Sequence, residues 1–170
     1  FSPRFGQDDN DFALTGGYRS NNDGRFSYDL SAGYGRNQIE YFMYNSINAS
    51  LGSASPTSFD IGTLTQSELT FNADFAYRAT LDFLAEDMTF AFGAEQRTEE
   101  YEIGAGEYAS FAIGPLAPEG FPSGSNGFPG FSPEQSGSSD QTSYAAYVDV
   151  EAPITDRWTV GAAVRFEDFS

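Results

Sequence analysis

The sequence predicts an all-β fold, an antiparallel up-and-down meander of about six long strands. Three observations support this prediction. Apolar and polar residues alternate with a period of two over long stretches, aromatic residues and glycines are abundant, and short turns alternate with long connections. The 170 residues include 17 Phe, 10 Tyr and 18 Gly. Aromatic side chains favour strands, and successive side chains of a strand point to opposite faces.

Composition excludes several classes of function. Eight arginines stand against 25 acidic residues, a formal net charge of -17, so phosphate backbones would be repelled and nucleic acid is not an expected partner. The chain has no cysteine and no histidine, which removes disulfides, thiol chemistry, the usual general base and the commonest metal ligand. We therefore expect no cofactor, no metal and no catalytic residues.

The last hairpin shows the alternation most completely. Its first arm places Tyr144, Ala146, Val148 and Val150 on one face, and its second arm places Trp158, Val160, Ala162, Val164 and Phe166 there. The opposite faces carry polar, charged or small residues, and the segment from Pro153 to Arg157 forms a short turn. Each arm is thus a two-faced strand.

The same pattern places strands near residues 12–19, 25–44, 69–82, 88–103, 142–151 and 158–167. The turn signal Asn21-Asn22-Asp23-Gly24 closes the first hairpin and would set Tyr28 opposite Gly16. Residues 1–10 are expected to form a solvated loop, because the acidic run from Gln7 to Asp11 fits no calcium-binding spacing.

Connections differ in length in a regular way. Short turns are predicted near residues 22, 85 and 154, and long loops over 45–68 and 107–141, the latter rich in Pro, Gly and Ser. Every second connection of a meander lies at the same end, so both long loops fall at one end. Strands of about ten or more residues with this asymmetry are typical of part of a transmembrane β-barrel.

The two faces of a barrel wall built from these strands would contact different surroundings. The apolar face would meet lipid, with Tyr18, Phe26, Tyr77 and Trp158 near the short-turn end as an aromatic girdle. The polar face would line the lumen, and one possible register pairs Asp74 with Arg97. The predicted lumen wall comprises Asp29, Asp74, Arg78, Glu95, Arg97, Asp149, Glu151, Arg165 and Glu167.

Several segments resemble the barrel region of TonB-dependent outer-membrane receptors of Gram-negative bacteria. They are SYDLSAGYGRNQIEY, NASLGSASPTSFDIGTLTQSELTFNADFAYR, FAFGAEQRTEEYEIGAGEYASF, FPGFSP and SYAAYVDVEAPITDRWTVGAAVRFED, which together extend from about Gly17 to the end. Members of that family join a plug domain and a TonB box to a barrel of about 22 strands. The resemblance implies that this chain is a segment of the barrel without plug or TonB box.

The resemblance also implies a function and its partners. Such receptors take up scarce large solutes, namely iron-siderophore complexes, cobalamin or oligosaccharides, with energy supplied through TonB. Partners would be outer-membrane lipid, the rest of the barrel, the plug and, through the plug, TonB; the segment alone would not transport. Loops contact the solute in this family, so possible solute-contacting aromatic residues are Tyr101, Tyr108, Phe121, Phe128 and Phe131.

Two other classes remain open at this point. In a secreted soluble β-sandwich that binds glycans, the same loop aromatic residues would stack on sugars, and Phe71, Phe75, Phe90 and Phe92 would form a buried core rather than face lipid. In an enzyme, the pairs Glu99 and Glu100 or Glu95 and Asp149 would serve as a glycosidase couple, which no His, Lys or Cys supports.

An isolated six-stranded sheet leaves its apolar face and two edges uncovered. We therefore expect the segment alone to curl or to self-associate.

Overall fold

The computed structural model describes residues 2–22 and 24–170. Six strands form one sheet in the order β1-β2-β3-β4-β5-β6, each antiparallel to the next as a meander. The strands are β1 (Arg4–Asn22), β2 (Phe26–Tyr44), β3 (Ser58–Ala79), β4 (Met88–Ala105), β5 (Gly137–Thr155) and β6 (Trp158–Phe169). The predicted all-β meander of six long strands is confirmed. Five strands have 18 to 22 residues, whereas about 9 to 11 suffice to cross a bilayer.

Among the described residues, helical structure is confined to the long connections. The connection from β2 to β3 holds a 3₁₀ segment, Ala49–Ala54. The connection from β4 to β5 holds a one-turn helix α1 (Tyr108–Phe111) and a 3₁₀ turn, Ala117–Glu119. The chain leaves β2 through Asn45, whose φ of 52° is a left-handed conformation that Asn tolerates better than most residues. In the described part of the chain no helix has the length and apolarity to cross a membrane.

Three strands begin earlier than the sequence indicated. β1 starts at Arg4, inside the segment expected to be a loop, β3 starts at Ser58 rather than near residue 69, and β5 starts at Gly137 rather than near residue 142. These added segments are rich in Ser, Thr, Asp and Gln, which resembles loop composition. Backbone ladder hydrogen bonds do not depend on side-chain polarity, so polar strands continue where apolar alternation stops.

The register of the first hairpin also differs from the prediction. Gly17 lies against Ser31 and Gly33 lies against Thr15, whereas a Cβ added to Gly16 would meet nothing within 4 Å. Tyr28 therefore does not cover Gly16; its ring contacts Tyr18 instead, with centroids 5.9 Å apart. The predicted turn includes Asp23, which lies outside the described residues. The register shift follows from the strand bounds: β1 continues to Asn22 and β2 begins at Phe26, so the hairpin is centred later in the sequence than predicted.

Contacts divide the chain into two compact units. Unit 1 comprises Phe1–Phe12, Arg36–Ser67 and Glu100–Asp140; unit 2 comprises Ala13–Gly35, Glu68–Glu99 and Gln141–Ser170. Unit 1 contains both long connections, and unit 2 contains the short ones. Among the residues whose burial the structure describes, every buried residue belongs to unit 1. Its apolar core is Met43, Phe59 and Ile61, against which Tyr41 and Ala109 pack.

Unit 2 is a two-faced sheet whose apolar face is uncovered. Phe71 is 47% exposed, Phe92 is 42% exposed and Val164 is 73% exposed, while Phe75 and Phe90 are half-buried. A soluble sandwich would seal these rings against a second sheet, and the strands form a single sheet. The sandwich alternative is therefore not supported.

Candidate functional site

The two long connections of unit 1 are joined through the side chain of Asn48, which is fully buried. Its Nδ2 donates to the carbonyl oxygens of Ala109 at 3.0 Å and Ala112 at 2.8 Å, which lie in and just after α1. Its Oδ1 accepts from the Ser50 hydroxyl at 2.7 Å, and the Ser50 hydroxyl accepts from the backbone N–H of Gly114 at 2.8 Å. One amide thus connects segments that are more than sixty residues apart in sequence.

Further hydrogen bonds fasten the same two connections. The Ser46 hydroxyl donates to the carbonyl oxygen of Asn126 at 2.6 Å, and the backbone N–H of Ser50 donates to the carbonyl oxygen of Pro122 at 3.1 Å. Inside the second connection, the carbonyl oxygen of Ser110 accepts from the N–H groups of Ser125 and Gly130. Because these hydrogen bonds join the two connections through the buried residues Ser46, Asn48 and Ser50, the two connections form one ordered layer.

Two of the predicted aromatic residues, Phe128 and Phe131, lie together with their ring centroids 6.3 Å apart. Phe128 also packs against Phe5 of β1 at 5.2 Å, and Phe5 stacks on Tyr41 of β2 at 5.3 Å. Sequence reasoning missed Phe5, since residues 1–10 were expected to be a loop. We call these four rings the aromatic cluster of unit 1.

The other three predicted aromatic residues lie elsewhere in unit 1. Tyr108 is on α1, 71% exposed, with its ring edge-on to Phe111 at 5.7 Å. Phe121 follows the 3₁₀ turn, and Tyr101 lies in β4; both are exposed. The five predicted residues therefore do not form one surface, and only Phe128 and Phe131 are in contact.

On the polar face of unit 2, a hydrogen bond reaches across a whole strand. The Tyr147 hydroxyl in β5 donates to Oδ1 of Asp74 in β3 at 2.6 Å, over β4. Gly93 of β4 lies between them, and a Cβ added there would lie 2.5 Å from Cε1 of Tyr147 and 2.7 Å from Oδ1 of Asp74. Asp74 is therefore not paired with Arg97, as one possible register had suggested.

Charged pairs continue along this face. The Arg165 guanidinium in β6 contacts Glu167 at 2.6 Å and Glu95 of β4 at 3.6 Å. Near the first short connection, Arg19 of β1 pairs with Asp29 of β2 at 2.5 Å. Arg19 and Tyr147 were not among the predicted wall residues, although alternation places both on the polar face.

The remaining predicted wall residues occupy the same sheet without forming one cluster. Arg97 contacts Glu99 at 3.7 Å. Arg78 and Glu151 both line a cleft of about 380 Å³ beside the β3–β4 connection. Asp149 lies opposite Ala163 in the register of β5 and β6. In the described part of the chain, no group of acidic side chains is arranged to hold a metal ion.

The apolar face of unit 2 carries a row of aromatic rings over its first four strands. Phe92 stacks on Phe75 with centroids 5.2 Å apart, Phe75 stacks on Phe26 at 6.2 Å, and Phe26 contacts Tyr28 at 6.1 Å. Tyr18 extends the row from Tyr28. Two of the four residues predicted for an aromatic girdle, Tyr18 and Phe26, belong to this row.

A long-stranded meander with one uncovered apolar face and one polar face defines a segment of β-barrel wall. Comparison with known families agrees: the model for the TonB dependent receptor-like β-barrel matches residues 1–170. The chain belongs to this family. TonB-dependent receptors reside in the outer membrane of Gram-negative bacteria and serve transport rather than catalysis. No curated protein matches the chain closely enough to count as a relative.

Proposed function

We propose that the chain is part of the barrel wall of an outer-membrane receptor that imports a scarce large solute with energy supplied through TonB. The observation that supports this most directly is the family match over the whole chain, taken with the uncovered apolar face of unit 2. The segment contributes wall and loops, while the plug and the remaining strands, which contact TonB and close the barrel, belong to the complete receptor.

The polar face of unit 2 is proposed to line the passage. Tyr147–Asp74, Arg19–Asp29 and Arg165 with its two glutamates are hydrogen-bonded or ion-paired within the sheet. These charges fit the side of the wall that faces water, because a charge on the side that meets hydrocarbon would be costly. Their role is to keep a polar wall stable; Asp149, Glu151 and Arg78 complete the proposed lining.

The ordered layer of unit 1 is proposed to lie on the extracellular side and to contact the solute. In barrels of this kind the long connections face outward and the short turns face the periplasm. The layer presents exposed rings at Tyr108, Phe121 and Phe128, suited to the apolar or sugar surfaces of a large ligand. The solute classes proposed are an iron-siderophore complex, cobalamin or an oligosaccharide.

Uptake by cells tests this proposal. Cells that depend on the complete receptor would be given each of the three solutes in labelled form, with and without a functional TonB. We expect one class to accumulate only when both receptor and TonB are present, and the Phe128→Ala variant to accumulate less of it. The matched control is Phe83→Ala, an exposed ring in the β3–β4 connection. Uptake of no class, or uptake that persists without TonB, would contradict the proposal.

A further inference from the structure

Unit 1 contains a cavity of about 610 Å³ beside the ends of β2 and β3. Four aromatic residues contribute to its lining: Phe42 and Tyr44, which share one face of β2, and Tyr41 and Phe59, whose rings are engaged with Phe5 and in the apolar core. Phe42 and Tyr44 stack on each other at 5.9 Å, and Phe59 is anchored in the apolar core. Cavities of about 300 to 1,000 Å³ hold small organic ligands, and this lining favours a ligand with apolar or cationic groups.

The charged groups of the cavity are all of one sign. Glu40, Asp60 and Glu107 line it, and its lining includes no arginine. Asp60 is held in place, because its Oδ1 accepts from the N–H of Gly62 at 2.9 Å while its carbonyl oxygen accepts from the N–H of Glu107 at 3.1 Å. Two of the three carboxylate-bearing residues are thus fixed to each other by backbone contact.

The charge around the cavity is not neutralised within unit 1. All the ion pairs found among the described residues, those of Arg19, Arg97 and Arg165, belong to unit 2. Unit 1 has eleven acidic residues against two arginines, Arg4 and Arg36. The resulting negative potential attracts cations and repels anions.

From these features we propose that the cavity binds an organic cation, a ligand that places an amine or quaternary ammonium group against the rings of Phe42 and Tyr44 with the carboxylates around it. A ring attracts a cation through its quadrupole, and the carboxylates supply charge of the matching sign. A bare metal ion fits less well, since no described group of acidic residues is arranged to coordinate one. The assignment concerns this cavity, whether or not its ligand is the solute that is imported.

Three probes that share one phenyl ring test the proposal on the complete receptor in detergent: benzyltrimethylammonium, benzyl alcohol and benzenesulfonate. Calorimetry should show saturable binding of the cation, weaker binding of the alcohol and none of the sulfonate. Because this series uses the unaltered protein, it does not depend on any variant folding. Equal binding of all three probes, or of none, would overturn the proposal.

Substitutions then locate the site. Asp60→Asn keeps the hydrogen-bond acceptor for the N–H of Gly62 but removes the charge. Each of the three single variants, Asp60→Asn, Glu40→Gln and Glu107→Gln, should weaken cation binding by about two- to fivefold. The control, Glu119→Gln, removes the same charge from unit 1 outside the cavity and should leave binding unchanged. Equal losses in all four variants would show a general charge effect and overturn the assignment. Cation binding is measured without TonB, so a failure to bind the cation can be distinguished from a failure of the TonB-dependent uptake proposed above.

Discussion

The Tyr147 hydroxyl of β5 and the Asp74 carboxylate of β3 are joined by a 2.6 Å hydrogen bond that passes over β4. The bond requires a residue without a side chain in between, and Gly93 supplies it. Strand pairing alone links only neighbours, whereas this bond ties three strands together on the polar face. It therefore constrains the register of β3, β4 and β5 together.

Filling the space at Gly93 should loosen this part of the wall. In Gly93→Val the new side chain would collide with the Tyr147 ring and the Asp74 carboxylate, and overpacking of this kind costs about 1 to 3 kcal/mol. Urea unfolding of the complete receptor in detergent would measure the loss. Gly16→Ala is the control, because a Cβ there meets nothing within 4 Å; an equal loss in both variants would contradict the role given to Gly93.

The Tyr147–Asp74 bond should appear as a coupling between the two residues. Tyr147→Phe, Asp74→Ala and the double variant form a cycle in which we expect a coupling free energy of about 1 kcal/mol, reduced from that of a fully buried charged bond by exposure to water. The corresponding cycle with Tyr144→Phe should give almost none, since Tyr144 lies on the opposite face of β5. Comparable coupling in the two cycles would argue against the bond.

Removing the Asn48 side chain should separate the two long connections. Asn48→Ala leaves the carbonyl oxygens of Ala109 and Ala112 and the hydroxyl of Ser50 without their partner, at a cost of about 1 to 3 kcal/mol for each group left unsatisfied. Limited proteolysis of the complete receptor should then cut within residues 106–136 faster. Asn126→Ala is the matched control, because Asn126 joins the two connections through its backbone and not through its side chain. Faster cutting within residues 106–136 in this control variant as well would contradict the role given to Asn48.

The isolated 170-residue segment should not remain a monomer in water. Its apolar face exposes rings and aliphatic side chains such as Phe71, Val148 and Val164, and the edge strand β6 is exposed throughout. Uncovered apolar faces and open edges promote association. Analytical ultracentrifugation should show dimers or larger species that detergent dissociates, and a stable monomer without detergent would refute this expectation.

The sequence predicted the strands well where apolar residues alternate, because burial and lipid contact impose that pattern directly. It failed at the polar ends of β1, β3 and β5, where ladder hydrogen bonds alone keep the chain extended. For that reason the sequence did not identify Phe5 as a residue of the candidate site. Register was also beyond reach, because it depends on how many residues a turn uses, and this determines whether Asp74 meets Arg97 or Tyr147.

The joining of the long connections carries no local signal in the sequence. Asn48 sits in a stretch of Ser, Asn, Ala and Gly that reads as an ordinary surface loop, and its partners near Ala109 and Ala112 are more than sixty residues away. A buried polar network of this kind is recognisable only when the donors and acceptors are seen together. Of the five predicted aromatic residues, Tyr101 lies in β4 and the other four lie in the second long connection, and among the five only Phe128 and Phe131 are in contact.

The central claim is that one face of these strands meets hydrocarbon and the other meets water, and site-directed spin labelling measures this directly. The chain has no cysteine, so single cysteines at Val148, Asp149, Ala163 and Val164 can be labelled in the complete receptor in lipid, provided that the rest of it is cysteine-free. We expect relaxation by oxygen to dominate at 148 and 164, and relaxation by a water-soluble nickel chelate to dominate at 149 and 163. The same accessibility at all four positions, or the reverse alternation, would contradict the account.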